Sequence, residues 1–287
     1  MKITNFLTLP DNRQLAYAEF GKPDGHPVLY FHGGASCRLE PLLWGDDTIS
    51  RLGLRLIAPD RPGMGQSDFQ PDYGFSDCVK DLVCLTDALG LDKFSVLGVS
   101  GGGGYAIACA AKIPEKLHAA VIASGAWKTD AIAYFPTATR LTWILVRKFP
   151  LLNLLILKLR KQSFKASPEQ LSKKLKKWLP PVDYAVVEAS DRIKILRQIS
   201  IESMRQGVKG AAWDVHLYLQ EWDFSVNEIQ MPLKFFHGEQ DMNIPIALAE
   251  QVVASLPMAE LVKYPKEGHL SLIVNHFDAI AKTLVSE

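Results

Sequence analysis

Short apolar runs alternate with helical patterns along most of the chain. Residues 3–9 and 14–20 flank a Pro-Asp-Asn turn and predict a β-hairpin. Six further runs have the length of buried strands, at residues 28–31, 54–58, 94–97, 119–123, 233–236 and 260–264. Apolar positions between the runs recur with helical spacing, as in residues 77–89. Because strands that alternate with helices pair in parallel, the pattern predicts an α/β sheet covered on both faces.

The alternation stops at residue 127 and resumes after residue 223. The residues between them show helical patterns and no clear strand. This predicts a helical cap at 127–223, inserted into a core that residues 1–126 and 224–287 form. Charge divides in the same way, because residues 127–226 carry 17 Lys and Arg against 9 Asp and Glu, and the remainder carries 15 against 22. The cap is therefore basic and the core acidic.

Composition narrows the class of protein. The 287 residues suffice for one large domain or a domain with an insertion, and a net charge of +1 argues against a dedicated nucleic-acid binder. The four cysteines show neither a C-x-x-C pair nor metal-ligand spacing, and residues 1–10 lack the continuous apolar stretch of a signal peptide. We expect reduced thiols, no metal site and a cytoplasmic location.

A serine between glycines provides the first sign of chemistry. Residues 98–102 read Gly-Val-Ser-Gly-Gly and lie between an apolar run and a helix-compatible stretch of small residues. This is the pattern of a nucleophile elbow, a strained strand-to-helix turn that presents a serine hydroxyl. It predicts Ser100 as a nucleophile, and it places the N–H of Gly101 at a helix N-terminus, where negative charge is favoured.

A serine nucleophile needs a base that takes its proton and an acid that orients the base. Of the seven histidines, His269 stands just after the last apolar run and before the final helix, at the sheet edge where α/β proteins build their sites. His237 and His32 each follow another strand and have less support. The pattern therefore predicts His269 as the base.

The acid predicted for this site is Asp241, in the loop after the run at 233–236. The chain order Ser100, Asp241, His269 then follows the order that a nucleophile elbow of this kind requires. Glu239 in the same loop and Asp130 after an earlier strand remain open as alternatives.

Backbone donors for an oxyanion are predicted at Gly34 and Gly101. His-Gly-Gly at residues 32–34 follows a strand and forms a flexible loop, from which Gly34 N–H would pair with Gly101 N–H. The Gly- and Pro-rich residues 60–68 supply no catalytic group. We interpret them as a structural loop braced by Asp60 and Arg61.

Five motifs together resemble the α/β-hydrolase superfamily. They are His-Gly-Gly at 32–34, Asp-Arg-Pro-Gly-Met-Gly-Gln-Ser at 60–67, Gly-Val-Ser-Gly-Gly at 98–102, His-Gly-Glu-Gln-Asp at 237–241 and Gly-His at 268–269. The chain looks most like the single-domain branch with a helical cap after the sixth strand. The resemblance implies an eight-stranded, mostly parallel sheet, a Ser–His–Asp site and no cofactor. It implies no particular substrate, because this fold hosts many chemistries.

Departures from family motifs disfavour some activities. Haloalkane dehalogenases and epoxide hydrolases of this superfamily have an aspartate where Ser100 stands. Proline iminopeptidases continue the His-Gly-Gly motif with Pro-Gly, whereas Ala35 and Ser36 follow here. Peptidase activity is therefore not the first expectation.

Residues 141–159 are the most apolar part of the predicted cap. Arg147, Lys148 and Pro150 interrupt them, so neither half reaches the ~20 apolar residues that span a bilayer. Seven basic residues and one acid follow within residues 160–177. The pattern fits cap helices that bury an apolar face on the core, or a segment that rests on an anionic membrane surface. We favour burial on the core.

These observations predict a cofactor-independent serine hydrolase, most simply a carboxylesterase for a small to medium apolar ester. Trp127, Tyr134 and Phe135 are candidates for lining the substrate pocket, and we expect the cap to control substrate choice without contributing to the chemistry. Thioesterases, lactonases, amidases, aminopeptidases and C–C bond hydrolases use the same groups. A ligand receptor or signalling protein with slow or single-turnover hydrolysis also fits. Acyl length and oligomeric state are left open.

Overall fold

The computed structural model describes residues 2–125 and 129–286, and its central sheet has eight strands within these ranges. The strands are β1 (Lys2–Thr8), β2 (Gln14–Gly21), β3 (His26–Phe31), β4 (Leu54–Pro59), β5 (Phe94–Val99), β6 (Leu117–Ala123), β7 (Leu233–Gly238) and β8 (Ala259–Tyr264). Their order across the sheet is β1-β2-β4-β3-β5-β6-β7-β8. β2 is antiparallel to β1 and β4, and the other neighbours are parallel. The predicted hairpin and mostly parallel sheet are confirmed.

Twelve α-helices are found in the described residues. They are α1 (Asp46–Arg51), α2 (Phe75–Ala88), α3 (Gly103–Lys112), α4 (Thr137–Lys148), α5 (Pro150–Phe164), α6 (Pro168–Trp178), α7 (Pro181–Glu188), α8 (Arg192–Ser203), α9 (Lys209–Tyr218), α10 (Ile246–Ala254), α11 (His269–Asn275) and α12 (Phe277–Val285). Between β6 and β7, the described residues from 129 onward contain helices and no strand. We call residues 129–218 the helical insertion.

The central strands are buried on both faces. On β5, Phe94 and Val96 belong to the apolar cluster that includes side chains of α2 and α3, while Leu97 and Val99 belong to the cluster that includes side chains of α12. Successive side chains of a strand point to opposite faces, so a strand covered on both sides must be apolar at nearly every position. This is why β5 reads as a continuous apolar run.

Parallel pairing brings the loops that follow β3, β4, β5, β7 and β8 to one edge of the sheet. The carboxyl ends of parallel strands lie together, and an α/β sheet binds its ligands there. The sequence motifs identified above occupy these loops, and the fold therefore assembles them at one place.

Candidate active site

Ser100 lies in a strained turn between β5 and α3. Its φ of +52° is in the left-handed region, which a residue with a side chain rarely adopts. A Cβ at Gly98 would lie 2.6 Å from the carbonyl oxygen of Gly102, and one at Gly102 would collide with the carbonyl of Phe31. Only glycine fits both positions, so the backbone forms the nucleophile elbow that the sequence pattern predicts.

The structure brings Ser100, His269 and Asp241 into one hydrogen-bonded chain. Ser100 Oγ lies 3.0 Å from His269 Nε2, and His269 Nδ1 lies 2.7 Å from Asp241 Oδ2. The three residues are far apart in sequence, and the parallel sheet brings them together because each follows the carboxyl end of a strand. A proton on Nδ1 is held by the carboxylate, which leaves Nε2 as an acceptor for the serine hydroxyl.

Asp241, rather than Glu239, faces His269. Its Oδ1 accepts the backbone N–H groups of Asn243 and Ile244, each at 2.8 Å, while Oδ2 faces His269. The side chain of Asp241 is fully shielded from solvent, whereas Glu239 is exposed. The other alternative, Asp130, has a side chain outside the described part of the structure.

Opposing influences set the pKa of His269. Burial of the imidazole lowers its pKa, but the charge of Asp241 and the hydrogen bond to it outweigh burial. The charges of Asp183 and Glu40 act in the same direction, so the pKa is raised above its ordinary value. An imidazole surrounded by carboxylates is a stronger base and is well placed to stabilise a proton taken from a hydroxyl.

His237 packs behind the acid. Its Nε2 lies 2.8 Å from the carbonyl oxygen of Ile244 and 3.4 Å from Asp241 Oδ2. A carbonyl only accepts hydrogen bonds, so Nε2 carries the proton. Burial lowers the pKa of His237 more than the charge of Asp241 raises it, and the ring is therefore neutral. His237 supports the loop of Asp241.

The two predicted oxyanion donors lie side by side. A Cβ built on Gly101 would lie 2.8 Å from the nitrogen of Gly34, which shows how closely the two loops approach. The N–H of Gly33 donates to Glu40 at 2.6 Å, whereas none of the described residues accepts a hydrogen bond from Gly34 N–H. Gly101 lies in the first turn of a short 3₁₀ helix, where N–H groups have no partner within the helix. Gly101 directly follows Ser100 in the chain, and a Cβ built on Gly33 would lie 3.5 Å from Ser100 Cβ, so both loops lie beside Ser100.

Arg61 holds the loop that carries Gly34. It donates to the carbonyl oxygen of His32 and, at 2.9 Å, to that of Gly33. The same guanidinium forms two hydrogen bonds with Asp214 of α9, at 3.0 and 2.8 Å. Both charged side chains are almost completely buried, and a buried charge is tolerated only when it is paired. The sequence indicated Arg61 as a brace, but it gave no sign of its partner Asp214.

Asp183 of α7 caps the N-terminus of α11. Its Oδ1 accepts the N–H groups of Leu270 at 2.9 Å and Ser271 at 2.8 Å, and its Oδ2 accepts that of His269 at 3.1 Å. Asp183 is 1% exposed. The carboxylate satisfies N–H groups that the start of a helix leaves unpaired, and it faces the positive end of the helix dipole. The helical insertion thus contacts the backbone of His269 itself, which differs from a cap that affects substrate choice alone.

The three aromatic residues proposed for a substrate pocket have different positions. Trp127 lies outside the described residues. Tyr134 is 43% exposed, and its hydroxyl donates to Gln251 of α10 at 2.9 Å, so the structure does not place it in an enclosed pocket. Phe135 is buried in the main core beside Trp143. The pocket roles of Tyr134 and Phe135 both remain predictions.

Most of the apolar residues between 141 and 159 are exposed. Val146 and Leu157 are buried, but eight large apolar side chains are not, namely Leu141, Ile144, Leu145, Phe149, Leu151, Leu155, Ile156 and Leu159. The expectation that this segment buries its apolar residues on the core is wrong for these eight. A helix that is apolar around most of its circumference buries only the face that meets a neighbour.

In residues 2–125 and 129–286, no group of three or more His, Cys, Asp and Glu side chains has an arrangement that could hold a metal ion. No helix in the same ranges combines the length and the apolar character needed to cross a membrane.

The fold and the arrangement of Ser100, His269 and Asp241 at the edge of the sheet are typical of one class of protein. Sequence comparison identifies the family. A family model described as alpha/beta hydrolase fold matches residues 26–276. The chain belongs to the α/β hydrolase fold family. The family predicted from the motifs is therefore confirmed.

The individual proteins that match this chain have low sequence identity to it. Proline iminopeptidase from Neisseria gonorrhoeae is 29% identical over 122 residues, or 42% of this chain and 39% of that protein. The chain thus spans about two fifths of the length of this and other curated relatives that it matches. A bifunctional esterase/perhydrolase from Acinetobacter calcoaceticus is 24% identical over 275 residues, or 92% of each protein. The solved enol-lactonase of Burkholderia xenovorans LB400 superimposes with a TM-score of 0.70 at 16% identity over 98% of each chain. The last similarity shows the fold alone.

Proposed function

We propose that this protein is a serine hydrolase that cleaves small to medium, largely apolar carboxylic esters. The observation that carries the proposal is the hydrogen-bonded chain from Ser100 through His269 to Asp241, beside the adjacent N–H groups of Gly34 and Gly101. The esterase/perhydrolase that aligns with 92% of this chain supports the ester class.

In the proposed reaction, Ser100 Oγ attacks the ester carbonyl carbon while its proton passes to His269 Nε2. The carbonyl oxygen becomes an oxyanion, which Gly34 and Gly101 N–H stabilise. The protonated imidazole then gives its proton to the departing alcohol oxygen, and an acyl-enzyme remains. Water attacks the acyl carbon, loses a proton to His269, and the acid product leaves as that proton returns to Ser100. Asp241 keeps the imidazole oriented throughout.

We also propose that residues 127–223 form a cap over a core of residues 1–126 and 224–287. The contacts of Asp183 with α11 and of Asp214 with Arg61 support this, because helices inserted between β6 and β7 reach the loops around Ser100 from two sides. The cytoplasmic location stays a prediction.

A cavity of about 370 Å³ between α5 and α9 is our candidate for the acyl group. Leu154 and Ala212 line it, and both pack against the apolar cluster that contains Ala35, the residue after Gly34. The cavity lining and the loop that carries Gly34 therefore contact the same apolar cluster. The cavity differs from the pocket of Trp127, Tyr134 and Phe135 that the sequence suggested.

For a homologous series of p-nitrophenyl esters, we expect kcat/KM to rise with acyl length and then fall. Each methylene that enters an apolar pocket contributes up to about 0.8 kcal/mol, or roughly fourfold in kcat/KM, until the space is filled. Ala212→Leu, which takes up part of the cavity, should shift the optimum to shorter esters.

The control reactions use a thioester and an anilide of the same acyl group. Faster turnover of either would replace the ester assignment with that substrate class. A single covalent event at Ser100 without turnover of any substrate would favour a ligand receptor. An unchanged optimum in Ala212→Leu would exclude this cavity as the acyl site.

Replacing Asp183 with asparagine should lower kcat/KM by about 10- to 100-fold, because the N–H of His269 loses its acceptor and small displacements of a catalytic group cost rates of that order. The base must be neutral to accept a proton, so kcat/KM should rise with pH as His269 deprotonates. The charge of Asp183 raises the pKa of His269. In Asp183→Asn this rise should therefore occur at lower pH than in the wild type.

The pH profile separates positioning from a general effect on stability, since a merely destabilised variant keeps the wild-type midpoint. Glu188→Gln is the matched control, because Glu188 is an exposed carboxylate at the end of the same helix. A profile of Asp183→Asn with the wild-type midpoint and rate would refute the role of Asp183.

A further inference from the structure

The outer faces of α4 and α5 carry two stripes of exposed apolar side chains. Leu141 and Leu145 of α4 and Phe149, the residue after α4, are spaced four residues apart, and so are Leu151, Leu155 and Leu159 of α5. Residues four apart share one face of a helix. These six side chains, which we call the α4–α5 surface, are between 37% and 78% exposed.

The α4–α5 surface is not required for packing of the core. The inner face of α5 supplies that packing through Leu157, which is buried in one cluster with Ala35 and Met64. Lys161 also holds α5 in place by donating to the carbonyl oxygen of Met204 at 2.6 Å. A face this apolar on a folded protein indicates an interaction site, because single exposed apolar residues are common but clusters are not.

The charges on the segment that carries this surface have one sign. Residues 131–168 contain seven Lys and Arg and no Asp or Glu. Six of the seven cations are exposed, and none of these six forms an ion pair with any residue in the described part of the chain; they are Arg140, Arg147, Lys148, Lys158, Arg160 and Lys165. The surface thus combines apolar stripes with uncompensated positive charge.

We propose that the α4–α5 surface binds the face of an anionic phospholipid bilayer. Amphipathic helices that lie in a membrane interface have large aliphatic and aromatic side chains on one face, and Lys or Arg beside them attract anionic headgroups. Pairing with a second copy through the same face would bring together two sets of cations without acids between them. An anionic bilayer offers acyl chains to the apolar side chains and negatively charged headgroups to the Lys and Arg residues.

Membrane contact at this surface would place the proposed active site next to the bilayer. The opposite face of α5 packs on the cluster that contains Ala35, beside the oxyanion donor Gly34. Binding itself does not depend on hydrolysis, so it can be tested separately from the proposed function.

The test is co-sedimentation of the full chain with vesicles of phosphatidylcholine, with or without phosphatidylserine. We expect binding to the vesicles that contain phosphatidylserine, and loss of it at high salt because screening weakens the attraction. Lys148→Gln with Lys158→Gln should weaken binding by about 25-fold, on the basis of two surface charges. Leu155→Ser with Leu159→Ser should weaken it at least about tenfold, since the inserted side chains are lost.

The control variant replaces Phe6 and Met258 with serine, because these side chains are similarly exposed but lie elsewhere. It should bind vesicles as the wild type does, and all variants should hydrolyse a water-soluble ester at the wild-type rate. Absence of wild-type binding to phosphatidylserine vesicles would overturn the proposal, as would wild-type binding by the leucine variant. Light scattering that shows a wild-type dimer and a monomeric leucine variant would assign the surface to a second copy instead.

Discussion

Ser100→Ala is expected to lower kcat/KM for ester hydrolysis by about 10⁴- to 10⁶-fold, because the variant lacks the nucleophile and any remaining rate comes from oxyanion stabilisation and binding. A fluorophosphonate probe should label the wild-type protein once, at Ser100, and it should leave Ser100→Ala unlabelled. Rates are measured with a soluble p-nitrophenyl ester, and labelling is located by mass spectrometry of peptides.

Ser95→Ala is the matched control for this variant. Ser95 is buried in β5, the strand that precedes Ser100, and its hydroxyl donates to the carbonyl oxygen of Leu284, away from His269. This control should keep the label at Ser100. Labelling of Ser100→Ala at wild-type stoichiometry would show that another residue is the nucleophile.

Asp241→Asn is expected to lower kcat by about 10⁴-fold, as the same exchange does in other Ser–His–Asp enzymes. The carboxylate oxygens accept from Asn243, Ile244 and His269 at once. The Oδ1 position must remain an acceptor for two N–H groups, so an asparagine would turn its NH₂ toward His269. That group cannot accept from Nδ1–H, and the imidazole would be held in the wrong tautomer.

Glu239→Gln provides the comparison, since Glu239 is exposed in the same loop. It should change kcat by less than about threefold, because removing an exposed charge that contacts no reacting group has only a small energetic effect. A larger loss in Glu239→Gln than in Asp241→Asn would identify Glu239 as the acid. Thermal unfolding of both variants checks that the loop remains folded.

The elbow and the strands could be predicted because their causes are local. A strand buried on both faces is apolar at nearly every position, and β5 shows this directly. The positive φ of Ser100 and the close approaches at Gly98 and Gly102 follow from a turn that only a few residue types can make. Ser100, Asp241 and His269 each follow a strand, so the parallel sheet is sufficient to bring the three residues together.

The support around these residues could not be predicted, because it depends on partners distant in sequence. Asp183 is 86 residues from His269, and Asp214 is 153 residues from Arg61. A single carboxylate in a helix carries no local sign of the N–H groups or the guanidinium that it will meet. These contacts show that the helical insertion takes part in holding the site.

By itself, the sequence determined the family, the sheet, the elbow and the candidate chain from Ser100 to Asp241, because each is encoded by residue type and short-range order. Only the tertiary structure decided which carboxylate faces His269 and which apolar residues of α4 and α5 are covered. Composition shows how much apolar surface a helix has, whereas the neighbouring elements determine which face is removed from water. The inner face of α5 meets the cluster around Ala35, whereas Leu151, Leu155 and Leu159 on its outer face are largely exposed.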